Sequence, residues 1–167
     1  IGTSPSCIIS SGKQLSNQYY IPPVSTKITH SHLHKNNKDS FNIYIYISGT
    51  GIKPELETLT LLLNRIPKSC FILSNLPIPS LHTEILSPEF VNSNLVDLVI
   101  SRAGWGICWY CLLNEISLAL FEPSKFDDPE IWCNYNTLLS SKLASSLHNL
   151  VNSIDSIQAC INIIAES

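Results

Sequence analysis

Apolar and polar positions alternate in a way that divides residues 41–167 into strands and helices. Segments of β-branched and aromatic residues indicate buried strands, whereas apolar residues three or four positions apart indicate one face of a helix. Strands are predicted at 43–47, 70–73, 83–86, 96–100 and 116–121. Helices are predicted at 54–64, 105–113, 129–144 and 154–165. Because strand and helix follow each other repeatedly, we expect an α/β domain with a doubly wound parallel sheet.

Residues 1–40 differ in composition from the rest of the chain. They are rich in Ser, Asn, Lys and His, include Pro22-Pro23, and show no sustained apolar period. Such segments are typical of linkers, so we predict a polar linker or the tail of a preceding domain at 1–40 and the α/β domain at 41–167. The chain contains no Met, even at position 1. We therefore expect a processed product, a fragment, or a sequence in which methionine-equivalent residues are not written.

Charge and hydropathy narrow the class of partner. A formal net charge of −3 and a pI near 5.9 argue against a nucleic-acid surface, which requires a basic patch. No apolar segment reaches the roughly 20 residues that a helix needs to cross a bilayer, so no transmembrane helix is predicted. The six cysteines lie mostly within predicted strands and helices, as buried thiols do, which favours a reducing, cytoplasmic compartment.

The turn Ser48-Gly49-Thr50-Gly51 joins the first predicted strand to the first helix. The backbone N–H groups of such a turn, together with the helix dipole, form an anion site, and glycine lets a phosphate approach the backbone closely. An ordinary tight turn would explain the same residues. No third glycine completes the dinucleotide fingerprint, which counts against an NAD-binding domain.

A second turn, Arg102-Ala103-Gly104-Trp105-Gly106, follows the fourth predicted strand. Ligands of open α/β sheets bind beyond the carboxyl ends of the strands. Because Ala103 and Gly104 are small, the N–H groups of the next helix are able to point at a phosphate. The alternative is a tight turn in which Arg102 pairs with a surface acid.

Carboxylates follow the fifth predicted strand at the same edge of the sheet, at Asp127, Asp128 and Glu130. They are able to accept hydrogen bonds from vicinal sugar hydroxyls, and Asn134 lies one helical turn beyond Glu130 on the same face. Pro129 suits the first position of a helix, so Asp127 or Asp128 is also expected to be its cap. Capping accounts for one acid, and the other two exceed what a cap needs.

Two further patterns suggest metal or redox chemistry, and we prefer a simpler explanation for each. His30, His32 and His34 alternate as metal ligands on a strand do, but their polar surroundings favour a solvated linker. Cys108 and Cys111 have thioredoxin-like spacing, yet they fall inside a predicted helix and not at its N-terminus, where the dipole would lower a thiol pKa. We therefore predict no bound metal, and buried thiols at both cysteines.

Taken in this order, the three loops resemble the C-terminal, donor-binding half of GT-B glycosyltransferases, and most closely that of glycosyltransferase family 28. The resemblance covers residues 42–144. Its motifs are the glycine-rich loop at 48–51, an Asp-x-x-Ile-x-Arg-Ala-Gly motif from Asp97 to Gly104, and an Asp-x5-Asn motif from Asp128 to Asn134. The second motif is the most specific. The implied fold is a Rossmann-like doubly wound parallel sheet that forms one half of a GT-B enzyme.

The resemblance implies a nucleotide sugar as substrate, above all a UDP-sugar, at the carboxyl edge of the sheet, and no cofactor. The loop at 49–51 would approach the diphosphate or the sugar, and Gly104–Gly106 with the following helix would hold phosphate. Asp128 and Glu130 would hold sugar hydroxyls. Members of the family generally invert the anomeric centre without a metal, because helix dipole and loop N–H groups stabilise the leaving diphosphate.

Three features separate this chain from a complete enzyme of the family. Many members carry a Glu that binds ribose hydroxyls where this sequence has Tyr110, and Tyr cannot act as a bidentate carboxylate. The segment between Phe90 and Asp97, which normally helps to seat the base, is short. A GT-B enzyme also binds its acceptor with an N-terminal domain that usually carries the general base. We therefore expect a donor-binding half that requires a second domain or subunit, and we assign no catalytic residues. Through that second domain or subunit, we expect the chain to associate with the cytoplasmic face of a membrane.

Other functions fit the same fold. A non-catalytic nucleotide-binding or interaction module is favoured by Tyr110. A domain like that of sugar-nucleotide 2-epimerases would share the two-domain architecture. A dinucleotide-dependent oxidoreductase comes third, because the glycine fingerprint is incomplete. Fold class alone does not choose among these functions.

Overall fold

Short strands and helices alternate along the part of the chain that this computed structural model describes, residues 41–47, 56–66, 70–78, 81 and 83–152. The strands are β1 (Asn42–Tyr46), β2 (Phe71–Ser74), β3 (Glu84–Ile85), β4 (Leu98–Ser101), β5 (Ser117–Leu120) and β6 (Ser145–Ser146). The helices are α1 (Leu56–Arg65), α2 (Trp105–Leu113), α3 (Pro129–Ser140) and α4 (Leu147–Asn152), and a 3₁₀ turn covers Pro88–Phe90.

These strands form one sheet in the order β3-β2-β1-β4-β5-β6, and every pair is parallel. The chain runs outward from β1 through β2 to β3, then returns across the sheet to β4 beside β1. Open parallel sheets bind ligands at the carboxyl ends of strands where the order reverses in this way. The loop after β1, with the predicted turn at 48–51, lies outside the described residues. Of the two loops that meet where the strand order reverses, the structure therefore describes the one after β4.

Apolar side chains fill both faces of the sheet, because neighbouring residues of a strand point to opposite faces. With α2 and α3, one face buries Tyr44, Val99, Cys108, Cys111, Leu118, Leu120, Tyr135 and Leu138. With α1 and α4, the other face buries Ile43, Ile45, Leu59, Leu62, Ile100, Ala119 and Leu147. The helices α2 and α3 therefore share one layer, and each begins shortly after the carboxyl end of its strand.

The structure confirms the α/β class and the doubly wound parallel sheet, and α2 has the predicted bounds. Neither β6 nor α4 was expected from the pattern. The predicted helix at 154–165 lies outside the described residues, as does the predicted linker at 1–40. Within the ranges that the structure covers, no helix is both long and apolar enough to cross a membrane.

The helix α3 ends at Ser140, four residues earlier than its pattern predicts. Lys142 adopts a φ of 57°, in the left-handed region. The N–H of Lys142 then donates to the carbonyl oxygen of Leu139 at 3.1 Å, and the N–H of Leu143 donates to that of Leu138 at 3.0 Å. This pair of bonds is a Schellman cap. It stops the helix early enough for the chain to add β6 beside β5.

Candidate functional site

The turn between β4 and α2 places a helix N-terminus at the carboxyl edge of the sheet. Gly104 has extended backbone angles, φ −72° and ψ 143°, and occupies the N-cap position of α2 without a side chain to cap it. The first intrahelical bond runs from the N–H of Cys108 to the carbonyl oxygen of Gly104 at 3.1 Å. The N–H groups of Trp105, Gly106 and Ile107 precede that bond. An anion at this helix would therefore accept hydrogen bonds from them.

The space next to both glycines of this turn is open. A Cβ atom added to Gly104 or to Gly106 would meet no atom within 4 Å. Close packing within the described part of the protein therefore does not require glycine at either position. Gly106 is exposed and Gly104 is partly exposed, so the predicted phosphate-facing segment lies at an accessible surface.

Arg102 and Asp127 form a buried ion pair between the loop after β4 and the loop after β5. The guanidinium donates to Asp127 Oδ1, and the two side chains are only 10% and 3% exposed. Asp127 Oδ2 accepts the N–H of Ser124 at 2.8 Å. The sequence left two interpretations open for Arg102, contact with a ligand and pairing with an acid. In the structure Arg102 pairs with an acid. Asp127, predicted to face a ligand, has both carboxylate oxygens bonded within the protein.

Asn134 holds the same turn from α3. Its side chain is fully buried, and Nδ2 donates to the backbone oxygen of Ala103 at 3.1 Å. Ala103 is buried as well. The sequence places both residues in candidate ligand-binding motifs, and in the structure they contact each other inside the protein. The pattern could not indicate this contact, because the two residues are 31 positions apart.

Asp128 and Glu130 are the other predicted carboxylates. Asp128 occupies the N-cap position of α3, but its side chain makes no capping hydrogen bond and is exposed. Glu130 is partly buried, and its charge adds to the effect of burial in raising the pKa of the Cys108 thiol on α2. Capping does not account for the Asp128 carboxylate, so both acids stay candidates for binding sugar hydroxyls.

Tyr110, at the position where the sequence resemblance leads us to expect a Glu, is bonded within the protein. Its hydroxyl donates to the backbone oxygen of Val91, directly after the 3₁₀ turn. Burial, with a smaller contribution from Cys111, raises the pKa of Tyr110 to about 12. The group is therefore a neutral donor near pH 7, and its hydroxyl is directed at the main chain.

Several aromatic residues lie in or next to the two loops of the site. Trp105 packs edge-on against Trp109, with ring centroids 5.5 Å apart and an interplanar angle of 76°. Trp132 donates from Nε1 to the backbone oxygen of Ser124 at 3.1 Å. Phe126, two residues before Asp128 in the loop after β5, is 76% exposed. The sequence does not single out Phe126, because one aromatic residue in a polar loop produces no periodic pattern.

The Cys108-x-x-Cys111 pair has no redox character in this structure. Both thiols are buried in α2, and burial raises the pKa of Cys108 to about 12 and that of Cys111 further. A redox pair would need the opposite shift, so the prediction of buried thiols is confirmed. Cys70 is also a free thiol, whereas Cys133 is disulfide-bonded.

Metal ligands do not cluster in the region that the structure covers. No group of three or more His, Cys, Asp or Glu side chains there is arranged to hold a metal ion. The three alternating histidines, His30, His32 and His34, lie outside that region, so their assignment to a solvated linker stays a prediction.

Comparisons with known proteins bear on the fold. No family model and no curated protein sequence matches the chain. Among solved structures, the chain is similar to one described as the glycotransferase of kitacinnamycin, with a TM-score of 0.56 and 12% identity. The similarity covers 89% of this chain, which spans 41% of the length of that protein. At this identity the likeness concerns the fold alone, and the chain has a Rossmann-like α/β fold that matches one half of a GT-B glycosyltransferase.

Proposed function

We propose that this chain is the donor-binding half of a glycosyltransferase and that it binds a UDP-sugar at the carboxyl edge of its sheet. The observation that carries the proposal is the uncapped N-terminus of α2. It opens at Gly104 directly after β4, beside the point where the strand order reverses. A diphosphate there would accept hydrogen bonds from the N–H groups of Trp105 and Gly106 and would be attracted by the positive end of the helix dipole.

The donor sugar would contact the beginning of α3. Asp128 and Glu130 are acceptors for vicinal hydroxyls when ionised. The loop that leads to them is joined to the phosphate-facing turn by the pair of Arg102 and Asp127. The phosphate-facing and sugar-facing parts would thus be held side by side on one edge of the sheet.

Transfer would proceed with inversion, by attack of an acceptor hydroxyl on the anomeric carbon as the bond to the diphosphate oxygen breaks. The contribution of this chain is to stabilise the negative charge that develops on the leaving diphosphate, through N–H groups that are already in place. The acceptor-binding surface and the general base would come from a second domain or subunit. Transfer to an acceptor by the isolated chain at an enzyme-like rate would contradict this requirement.

Tyr110 favours a second candidate function, a non-catalytic nucleotide-binding or interaction module on the same fold. Its hydroxyl is bonded to the oxygen of Val91, and a phenol offers no carboxylate to the ribose hydroxyls. Such a module would bind UDP or a UDP-sugar but would support no transfer when an acceptor-binding domain is added. That reconstitution distinguishes the two functions.

Calorimetry of the chain with UDP, UDP-N-acetylglucosamine, a GDP-sugar and NAD tests the proposal. We expect the UDP ligands to bind. Gly104→Val should abolish this binding, because the side chain would occupy the space that the phosphate approaches. The variant should still fold, since no atom lies within 4 Å of a Cβ added at this position. Asn136→Val, at an exposed position of α3, is the control and should bind UDP as the unchanged chain does. Binding of NAD without binding of any UDP ligand would overturn the proposal.

A further inference from the structure

Two buried polar side chains hold the turn that leads into α2. Asp127, from the loop after β5, is paired with the guanidinium of Arg102. Asn134, from α3, donates to the backbone oxygen of Ala103 at 3.1 Å. The two contacts fall on consecutive residues directly before Gly104. The place where α2 begins is therefore determined from outside the helix.

The helix itself contributes little to fixing its first turn. Gly104 has no side chain to cap the helix. The N–H of Gly104 donates to the carbonyl oxygen of Arg102 at 2.8 Å, which tightens the turn only locally. Helix ends that lack a cap fray readily. External contacts are therefore needed if the N–H groups at this end are to keep one direction.

The loop that presents Asp127 is held by its own hydrogen bonds. The N–H of Asp127 donates to the oxygen of Ser124 at 2.9 Å, and the N–H of Ser124 donates back to Asp127 Oδ2 at 2.8 Å. The N–H of Phe126 donates to Ser124 Oγ at 3.2 Å. The Asp127 carboxylate is thus oriented by its loop as well as by Arg102. A buried ion pair is often no more stable than a well-packed apolar pair of similar volume, so the consequence of this arrangement is mainly geometric.

We infer that Asp127 and Asn134 are positioning residues for the diphosphate of the donor. They set the place and direction of the N–H groups of Trp105 and Gly106 and make no contact with the ligand. Because the loop continues from Asp127 directly into Asp128, the same contacts set the separation of the phosphate-facing and sugar-facing parts. The inference rests on the proposed function and assigns to both residues a role different from the sugar contact that their pattern suggested.

The test compares the affinities for UDP and for uridine, because a displaced turn weakens the phosphate contacts and spares the nucleoside contacts. The double variant Arg102→Met with Asp127→Leu replaces both charges of the buried pair by apolar side chains, a change that is often neutral, so its fold is expected to persist. We expect the preference for UDP over uridine to fall about tenfold, the loss that one charge-assisted hydrogen bond represents. Uridine affinity should stay within about twofold. Asn134→Leu should reduce the preference in the same way.

Asn42→Leu is the matched control for Asn134→Leu. Asn42 is also buried, and its Nδ2 donates to the backbone oxygen of Leu95 at 2.7 Å, at the amino edge of the sheet. This variant should lose stability to a similar degree and keep the preference for UDP over uridine. If folded Asn134→Leu and the double variant keep that preference too, the inference is wrong.

The amide resonances of Gly104 and Gly106 supply a readout that needs no ligand. We expect both to shift in the double variant and in Asn134→Leu, and to stay unchanged in Asn42→Leu. A chain that binds UDP and whose variants leave these resonances unmoved would overturn the positioning role alone. If the chain binds no UDP, the proposed function is wrong, and a diphosphate is not the ligand of this turn. This holds even if the two amide resonances shift in the variants.

Discussion

The hydroxyl of Tyr110 donates its hydrogen bond to the backbone oxygen of Val91, and so connects α2 to the segment that follows the 3₁₀ turn. The hydroxyl of Tyr44 makes a similar contact with the backbone oxygen of Leu86 at 3.0 Å. Two tyrosines, one on a central strand and one on the helix of the candidate site, therefore hold the segment from Leu86 to Val91. Tyr110 therefore has a structural partner of its own in the backbone of Val91.

Tyr110→Phe removes this hydrogen bond and keeps the ring. We expect the free energy of unfolding to fall by about 1 kcal/mol, the usual net contribution of one neutral hydrogen bond. Urea unfolding measures the change. Tyr46→Phe, at a partly buried position at the end of β1, shows the effect of removing a tyrosine hydroxyl in general. If both variants lose the same free energy of unfolding, the hydrogen bond to Val91 does not contribute specifically to stability.

Removing one partner of the buried pair should cost much more than removing both. Asp127→Ala removes the carboxylate that pairs with the buried guanidinium of Arg102, and we expect a loss of about 3–5 kcal/mol in the free energy of unfolding. Arg102→Met together with Asp127→Leu should recover most of this loss. Urea unfolding of the single and double variants measures both values. A double variant as unstable as Asp127→Ala would assign the stability to other contacts of Arg102.

Gly104→Ala should leave stability nearly unchanged and weaken donor binding. Alanine adopts the φ and ψ of this position without strain, and it has room, since no atom lies within 4 Å of the added Cβ. It also restricts the unfolded chain, which stabilises by about 0.4–1 kcal/mol. Alanine is less favourable than glycine at an N-cap by a similar amount, so we expect a net change below about 0.5 kcal/mol. The methyl group would stand where a phosphate approaches the backbone. Thermal unfolding and calorimetry with UDP test the two effects, and unchanged UDP affinity would place the diphosphate elsewhere.

Glycine should stabilise the chain at the ends of α2 and α3. Glu115 and Lys142 both have a φ of 57°, and the N–H of Ile116 donates to the oxygen of Cys111 at 2.9 Å, as in a Schellman cap. Glu115→Gly or Lys142→Gly removes the steric cost of the left-handed conformation. We expect about 1 kcal/mol more stability from each. Urea unfolding measures this gain.

The control for these cap variants is Glu57→Gly, within the first turn of α1. Glycine inside a helix has no left-handed strain to relieve, so this variant should lose up to about 1 kcal/mol. Losses of similar size at Glu115 and Lys142 would show that the left-handed conformation is not maintained at either helix end in solution.

Alkaline pH should destabilise the fold through the thiols of α2. Burial raises the pKa of Cys108 from 9.0 to about 12, and it raises that of Cys111 further. The unfolded chain therefore loses these protons before the folded chain does, so the stabilising contribution is complete below about pH 9 and is lost as pH rises from there through about 12. The free energy of unfolding should decrease by about 1.4 kcal/mol per pH unit for each thiol.

Urea unfolding at a series of pH values from about 8 to 10.5 measures this slope. The variant Cys108→Ala with Cys111→Ala should show a smaller slope, because neither state then has these protons to lose. The same slope in the variant and in the unchanged chain would assign the alkaline effect to other groups.

The local sequence was sufficient to predict the parts of the site that depend on neighbouring residues. A continuous apolar strand followed by small residues and an apolar helix predicts the turn between β4 and α2, and α2 has the predicted bounds. The glycine at position 104 and the absence of a capping side chain before Trp105 are visible in the same few residues. The position of this turn at the carboxyl edge follows from the alternation of strand and helix.

Only the tertiary structure decided what the polar residues around the turn contact. Asp127 meets Arg102 across 25 positions because β5 lies beside β4, and Asn134 reaches Ala103 because α3 packs in the same layer as α2. Ser145 and Ser146 form a strand only because β5 offers them partners. Local propensity describes one segment at a time, whereas the partner of a buried polar group depends on which segments the sheet brings together.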